Sequence, residues 1–425
     1  MKVSTCLSAA LLSAATAKAL DTISAVGNKF FTSKGTQFFM KGIAYQLTED
    51  DPLVDAEQCA RDAALMKTLG TNAIRVYHVD PNADHDKCMS VFDAAGIYTL
   101  IDLDTFDTYI LPKTPYWNET QFARYAEVMD TFHKYNNVLG FFVGNEIIAQ
   151  ADHSLAAPYI KASARDLKAY RDAKGYRPIP IGYSAADIAE LRPMLQDYLT
   201  CGGNSSEIID FFGLNSYQWC DPSAYDTSGY VSLQKQAKDF PVPIFFSETG
   251  CNQPGPRLFD DQVAIFGDKM VNDWSGSIIY EWIEEANEYG LISYGPKPAA
   301  TATGVDIKGG FSRAGTPTPV SPDFENLKAQ WAKATPAGVA SSNYKADSVS
   351  TRACPASTEG GWLVDGNVPL PTFGGGLVRP TATSSSGSGT AASPSSTNNP
   401  APANREIAGM SAGLVGVMLF FTFWL

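Results

Sequence analysis

Two glutamates stand where they could do chemistry together. Glu146 ends the run FFVGNE and Glu248 ends VPIFFSE. Each follows a strongly apolar stretch, so each is expected at the rim of a core rather than inside it. One such glutamate alone is more often a solvated or salt-bridged rim residue. Two of them, the first preceded by Asn145, match what cleavage of a glycosidic bond with retained configuration requires. That reaction uses two carboxyls about 5–5.5 Å apart across the sugar. One is held protonated and donates to the leaving oxygen; the other stays ionised and attacks the anomeric carbon. Asn145 can hydrogen-bond a sugar 2-OH, a contact that tightens in the transition state.

Such a pair must be brought together by the elements around it. Apolar, β-branched or aromatic runs recur eight times: Phe38–Tyr45, Ala73–Val79, Tyr98–Leu103, Val138–Glu146, Pro178–Ser184, Ile208–Tyr217, Val242–Gly250 and Ser277–Glu284. Stretches of helical spacing lie between them. Cys88, Val91, Phe92 and Ala95 follow i, i+3, i+4, i+7 and meet Gly96 as a stop. Phe122, Tyr125, Met129 and Phe132 repeat the pattern, and Ser154 is placed to cap a helix running past Tyr159. Eight buried strands alternating with helices predict an α/β fold, a (β/α)8 TIM barrel. A doubly wound open sheet is the alternative, weakened because no dinucleotide fingerprint follows the first strand. Active sites of such barrels gather at the C-terminal strand ends. The runs end there in Tyr45 and Gln46; Arg75 and Tyr77; Asp102 and Asp104; Asn145 and Glu146; Tyr183, Ser184 and, just beyond, Asp187; Asn215 and Tyr217; Glu248; and Tyr280, Trp282, Glu284 and Glu285. Polar and aromatic groups converging on one face have the composition of a carbohydrate cleft.

The chain of 425 residues carries 45 Asp and Glu against 32 Lys and Arg. A net charge of −13 repels phosphate backbones and argues against nucleic acid as a partner. With 44% hydrophobic residues, a wholly disordered chain is excluded. Residues 1–19, MKVSTCLSAALLSAATAKA, combine a basic start, a short apolar run and an A-x-A end, the pattern of a secretory signal peptide. Residues 381–404 are rich in Ser, Thr, Pro, Ala and Gly and read as a disordered, O-glycosylated linker. Residues 405–425 end in AGLVGVMLFFTFWL. After small residues and a polar spacer, that tail reads as a GPI-anchor signal, with Ser395, Ser396 and Asn398 as candidate attachment residues. A tail-anchored helix is the alternative. The two ends together predict a cell-surface protein, lipid-anchored to the outer face of the plasma membrane or passed on to a cell wall. Asn118 and Asn204 open N-glycosylation motifs. Of seven cysteines, Cys6 leaves with the signal peptide. The even remainder predicts disulfides, and spacing alone leaves their pairing open. The lack of a C-x-x-C pair and the presence of only four histidines argue against a metal site, and no cofactor is expected.

The stretches GIAYQ, CARDAALMKTLGTNAIRVYHVDP, HDKCM, LIDLD, FFVGNE, IPIGYSAAD, FFGLNSYQWC, FFSETGCN and YEWIEEANEYGL carry a further signal. In them the chain resembles glycoside hydrolase family 72, the fungal cell-wall β-1,3-glucanosyltransferases, over residues 19–343. The resemblance implies Glu146 as acid/base and Glu248 as nucleophile. It implies glucan contacts from Gln46, Tyr77, Asp102, Asp104, Asn145, Asp187, Arg192, Tyr217 and Tyr280. It also implies internal cleavage of a β-1,3-glucan donor and transfer of the new reducing end to the non-reducing end of a β-1,3-glucan acceptor. Because attack needs a carboxylate, Glu248 is expected to be the more acidic of the pair. A secreted β-1,3-glucan hydrolase and a non-catalytic wall glucan-binding protein are the alternative readings, and a monomer is the expected form. Pairs Cys59–Cys88 and Cys220–Cys251 each close a loop of about 30 residues, the second beside the nucleophile. Cys201–Cys354 follows from the resemblance and by elimination. The resulting organisation is a signal peptide (1–19), a catalytic barrel (20–335), an extension tied by Cys354 (336–380), the linker and the anchor signal. Some members of the family carry a second, cysteine-rich carbohydrate-binding domain. Only Cys354 lies beyond the barrel here, so that domain is not expected.

Overall fold

The computed structural model describes residues 19–372, apart from 49–50, 106, 300, 303, 305 and 347–350. The expected signal peptide up to residue 18, the linker and the anchor signal lie outside the described residues. Eight parallel strands close into a barrel in sequence order. They are β1 (Met40–Ala44), β2 (Ala73–Val76), β3 (Tyr98–Asp102), β4 (Val138–Asn145), β5 (Ile181–Ala186), β6 (Phe211–Asn215), β7 (Ile244–Thr249) and β8 (Trp274–Ile279). The helices outside are α1 (Ala56–Leu69), α2 (Asp86–Ala95), α3 (Glu119–Phe132), α4 (Ala157–Ala173), α5 (Arg192–Thr200), α6 (Tyr230–Ala237), α7 (Asp261–Ile265) and α8 (Asp323–Lys333). The chain is thus the (β/α)8 barrel that its periodicity predicts. β8 closes onto β1 with Gly276 opposite Met40. Gly276 has φ 112°, and a Cβ there would lie 2.2 Å from the Met40 carbonyl oxygen, so the closure needs glycine.

The barrel is plugged at its N-terminal mouth. A three-stranded antiparallel sheet of Ile23–Val26, Lys29–Thr32 and Gln37–Phe38 precedes β1. Its Phe30 ring lies 6.1 Å from those of both Phe211 and Phe245, and its Phe38 ring 5.0 Å from Tyr98. Phe211 and Tyr98 are the first residues of β6 and β3. Each such buried ring stabilises the fold by roughly 1.5–3 kcal/mol, and together they leave the chemistry to the opposite end.

Two local expectations are corrected. β8 runs Trp274–Ile279, not Ser277–Glu284, because the chain then bonds to its own return segment. Glu281 N–H donates to Tyr289 O, and Leu291 N–H donates to Trp282 O. Tyr280 is therefore the first residue past the strand end. Ser154 does not cap α4; it lies in a short 3-10 turn (Ala151–Ala156), and Ala156 is the cap residue. Pro158 begins that helix without needing an N–H partner. The Ser154 hydroxyl instead accepts from Leu363 N–H of the returning C-terminal segment, 2.9 Å away.

That segment packs back on the barrel. Cys354 is bonded to Cys201, Trp362 is buried against Tyr198, and Arg165 of α4 donates to Pro371 O. The other disulfides join the first turns of α1 and α2 (Cys59–Cys88) and the loops after β6 and β7 (Cys220–Cys251). Asn118 caps α3 with its side chain accepting from Gln121 N–H, and both Asn118 and Asn204 are exposed.

Candidate active site

Glu146 and Glu248 stand at the C-terminal ends of β4 and β7, and each follows an irregularity of its strand. The β4–β5 register shifts between Phe142 and Asn145, and the β6–β7 register between Phe246 and Glu248. Such bulges re-aim side chains next to active sites. Glu146 itself has φ 51°, a left-handed conformation uncommon outside glycine. Its carboxyl lies exposed in the cleft, whereas Glu248 is 8% exposed.

One buried network connects them. Asn215, the last residue of β6, donates through Nδ2 to Glu146 Oε1 (3.0 Å) and to Asn145 Oδ1 (3.0 Å). Its Oδ1 accepts from Ser184 Oγ (2.9 Å) and Ser247 Oγ (2.7 Å), so the amide cannot flip without losing partners. Arg75 of β2 is fully buried inside the barrel between the rings of Tyr77 (4.3 Å) and Phe142 (4.4 Å). Its guanidinium donates to both oxygens of Asp102 (3.1 and 2.8 Å), to Asn145 Oδ1 (2.9 Å) and to Glu248 Oε1 (3.4 Å). Burial alone would lower its pKa; Asp102, Tyr77 and Glu248 outweigh that and hold it above its ordinary value. Arg75 and Asn215 thus both bond Asn145 Oδ1, which fixes the amide with its Nδ2 as the remaining polar end.

Glu248 receives three donors. Tyr77 Oη gives to Oε1 and Tyr217 Oη to Oε2, each at 2.9 Å, and Arg75 is the third. Burial nevertheless pushes this carboxyl up to about 7, with the Glu146 charge adding to the rise, while Arg75, Tyr217 and Tyr77 pull it down. Burial thus works against the ionised form that attack requires of Glu248. This carboxyl is the deeper of the two, and desolvation exceeds the pull of its donors. Above it the rings of Tyr217, Tyr280 and Tyr289 meet edge to face, 5.5–6.4 Å apart. Gln46 Nε2 donates to Tyr280 Oη at 2.7 Å. A cavity of about 330 Å³ opens beside Gln46 and Tyr77, lined further by His78, Glu285, Lys308 and Arg313.

The remaining expected residues stand further out. Asp102 is buried under Arg75 and orients it. Asp104 lies two residues past β3, where burial and the Asp102 charge push its carboxyl up to about 7. Asp187 accepts from Ser216 Oγ (2.5 Å) and from Gln218, and pairs with Arg192. Arg192 is 2% exposed and is held by Gln236 as well as by Asp187. In the sequence, Arg75 and Asn215 stand at strand ends with no role assigned to them, and Tyr289 and Glu281 do not stand out. A charge at an inward position of an apolar strand, as in AIRV, was the available signal for Arg75. No comparable signal marks Tyr289. Among the described residues no cluster of His, Cys, Asp and Glu could hold a metal ion.

A parallel barrel presenting paired carboxyls on its fourth and seventh strands, over a floor of tyrosines, is the layout of a glycoside hydrolase. The chain belongs to glycoside hydrolase family 72, whose sequence model, described as Glucanosyltransferase, matches residues 12–306. It is 41% identical to Protein EPD1 of Candida maltosa, covering 85% of this chain and 63% of that one. It is 40% identical to a 1,3-beta-glucanosyltransferase of Arthroderma benhamiae, covering 78% and 60% respectively. The chain thus spans about three-fifths of the length of these relatives. The structure is similar to that of Saccharomyces cerevisiae Gas2p solved with laminaritriose and laminaritetraose. The TM-score is 0.75 at 39% identity, with 83% of this chain and 77% of that chain covered.

Proposed function

We propose that the protein is a retaining 1,3-β-glucanosyltransferase that elongates cell-wall β-1,3-glucan. The observation that carries this is the Glu146–Asn215–Asn145–Arg75–Glu248 network, which holds two carboxyls toward one tyrosine-lined cleft. Glu248 attacks the anomeric carbon of an internal β-1,3-linked glucose as Glu146 protonates the departing glycosidic oxygen. The positive charge that develops on the sugar stabilises the Glu248 carboxylate next to it, countering the desolvation that raises its pKa. Glu146, now ionised, takes the proton of an acceptor 3-hydroxyl, whose oxygen displaces Glu248 and makes a new β-1,3 bond. Two inversions restore the β configuration. The similarity to Gas2p, solved with laminari-oligosaccharides, supports a β-1,3-glucan as both donor and acceptor.

The test is incubation with laminari-oligosaccharides, followed by product sizing and proton NMR of the first anomer formed. Products longer than the substrate and an initial β anomer are expected. Only shorter products would mean hydrolysis, and an initial α anomer would overturn the retaining mechanism. The location that goes with this reading is the outer cell surface, with the glucan partners outside and a GPI anchor in the membrane. Phosphatidylinositol-specific lipase should release the protein from membranes. A tail peptide that persists after lipase and wall digestion, with no release, would mean a spanning helix instead.

A further inference from the structure

We infer that Glu281 is a positioning residue that holds the aromatic wall beside the nucleophile, and so sets how well an acceptor sugar competes with water. The inference rests on the transferase reading above. Glu281 follows Tyr280 directly and is 0% exposed. Its Oε2 accepts from Gln46 Nε2 at 2.8 Å, and its Oε1 from Asn287 Nδ2 at 2.8 Å. The same Gln46 nitrogen reaches Tyr280 Oη, so one amide is shared between the wall and the carboxyl behind it. The Glu281 backbone also binds the return segment, giving N–H to Tyr289 O and accepting from Leu291 N–H, each at 3.0 Å. The Glu281 side chain thus reaches Tyr280 through Gln46 and Tyr289 through Asn287, whose Oδ1 accepts from Tyr289 N–H at 3.2 Å. From the far side, Asn252 Nδ2 donates to Asn287 O and Glu288 O, which docks the loop beside the Cys220–Cys251 bridge.

A carboxyl so deeply buried, with no cation bonded to it among the described residues, is an expensive choice for mere packing. Burial and the Glu285 charge push it up to about 8. It makes sense where two side-chain amides must be oriented at once, because a carboxyl has two oxygens to receive them. In the transfer step the acceptor oxygen bonds the anomeric carbon, the bond from that carbon to Glu248 breaks, and the acceptor proton passes to Glu146. Water needs no platform for that attack. A sugar does, since its apolar face must be seated on a fixed ring before its hydroxyl is in line. Loosening Tyr280 and Tyr289 thus penalises the acceptor more than water.

The experiment compares wild type with Glu281→Ala, Glu281→Gln and Asn287→Ala on laminaripentaose, measuring the ratio of lengthened to hydrolysed products. That ratio does not depend on the fraction of folded enzyme. Glu281→Ala should lower it about tenfold and raise the acceptor KM more than it lowers donor cleavage, the scale of losing one or two oriented contacts. Glu281→Gln, which keeps the volume and one acceptor oxygen, should restore most of the ratio, and Asn287→Ala should fall between. A folded Glu281→Ala with a wild-type ratio overturns the inference. So does an equal loss of all rates at unchanged ratio, which would mean a purely structural role. Should Glu281→Ala fail to fold, Asn287→Ala decides by the same criterion. Wild-type enzyme giving only shorter products would sink the transferase reading itself, before any variant is compared.

Discussion

Replacing Tyr217 by Phe tests how the Glu248 carboxyl is held. The ring remains, and the one donor lost is the hydroxyl 2.9 Å from Oε2. A hydrogen bond to a charged group is worth about 1.5–3 kcal/mol, felt chiefly by the ionised form. Since about 1.36 kcal/mol corresponds to one pH unit, the Glu248 pKa should rise by about one to two pH units from its already elevated position. Tyr77→Phe removes the donor to Oε1, but Arg75 lies 3.4 Å from that same oxygen and offsets part of the loss. Its effect should be smaller, and the double variant should exceed either. The assay is kcat/KM on a short laminari-oligosaccharide across pH, which reports ionisations of the free enzyme. The acidic limb should move to higher pH in the order Tyr77→Phe, Tyr217→Phe, double variant. A limb that stays in place, or moves to lower pH, would refute the claim that these hydroxyls keep the nucleophile ionised.

Glu146→Gln and Glu248→Ala should each reduce activity on the order of a thousandfold or more with the fold intact, checked by kinetics beside circular dichroism. Asn215→Ala should cost activity although it replaces neither glutamate, because Glu146 and Asn145 both lose their shared donor; a wild-type rate would remove the network from the mechanism. The fold should be more stable at pH 5 than at pH 8. Glu248, Asp104 and Asp261 are raised to about 7 and Glu281 to about 8, chiefly by burial. The folded state therefore binds more protons than the unfolded chain between the ordinary carboxylate range and pH 8, and stability falls as pH rises through that window. Burial lowers His133 and His153 and so works weakly in the opposite sense near pH 6. Thermal melts at the two pH values measure the difference. Opening Cys201–Cys354, whose cysteines are 153 residues apart, by Cys354→Ser with Cys201→Ser should cost up to about 5 kcal/mol in the chain-entropy model, read as a lower denaturant midpoint.

The two glutamates were legible as a pair, because each ends a long apolar run and the first follows Asn145; either alone reads as an ordinary rim residue. The helices α2 and α3 were legible from periodicity and from Gly96, which adopts the left-handed stop expected of it. The end of β8 was not, because Ile279 and Trp282 look alike as residues. Only the return of Tyr289–Ile292 to bond Glu281 and Trp282 shows where the strand stops.

Composition and pattern by themselves determine the alternation of eight strands with helices and the strand ends at which polar groups gather, since these follow from local spacing; closure into a barrel rather than an open sheet belongs to the structure. Partnership is decided only in three dimensions. Arg75 sits 27 residues from Asp102 and 173 from Glu248 in the chain, yet bonds both. Glu281 lies 235 residues from Gln46 and shares a hydrogen with it. The burial of the two carboxyls likewise escaped the sequence. Both end strongly apolar runs, yet Glu146 is exposed and Glu248 is buried, and the water that Glu248 loses raises its carboxyl.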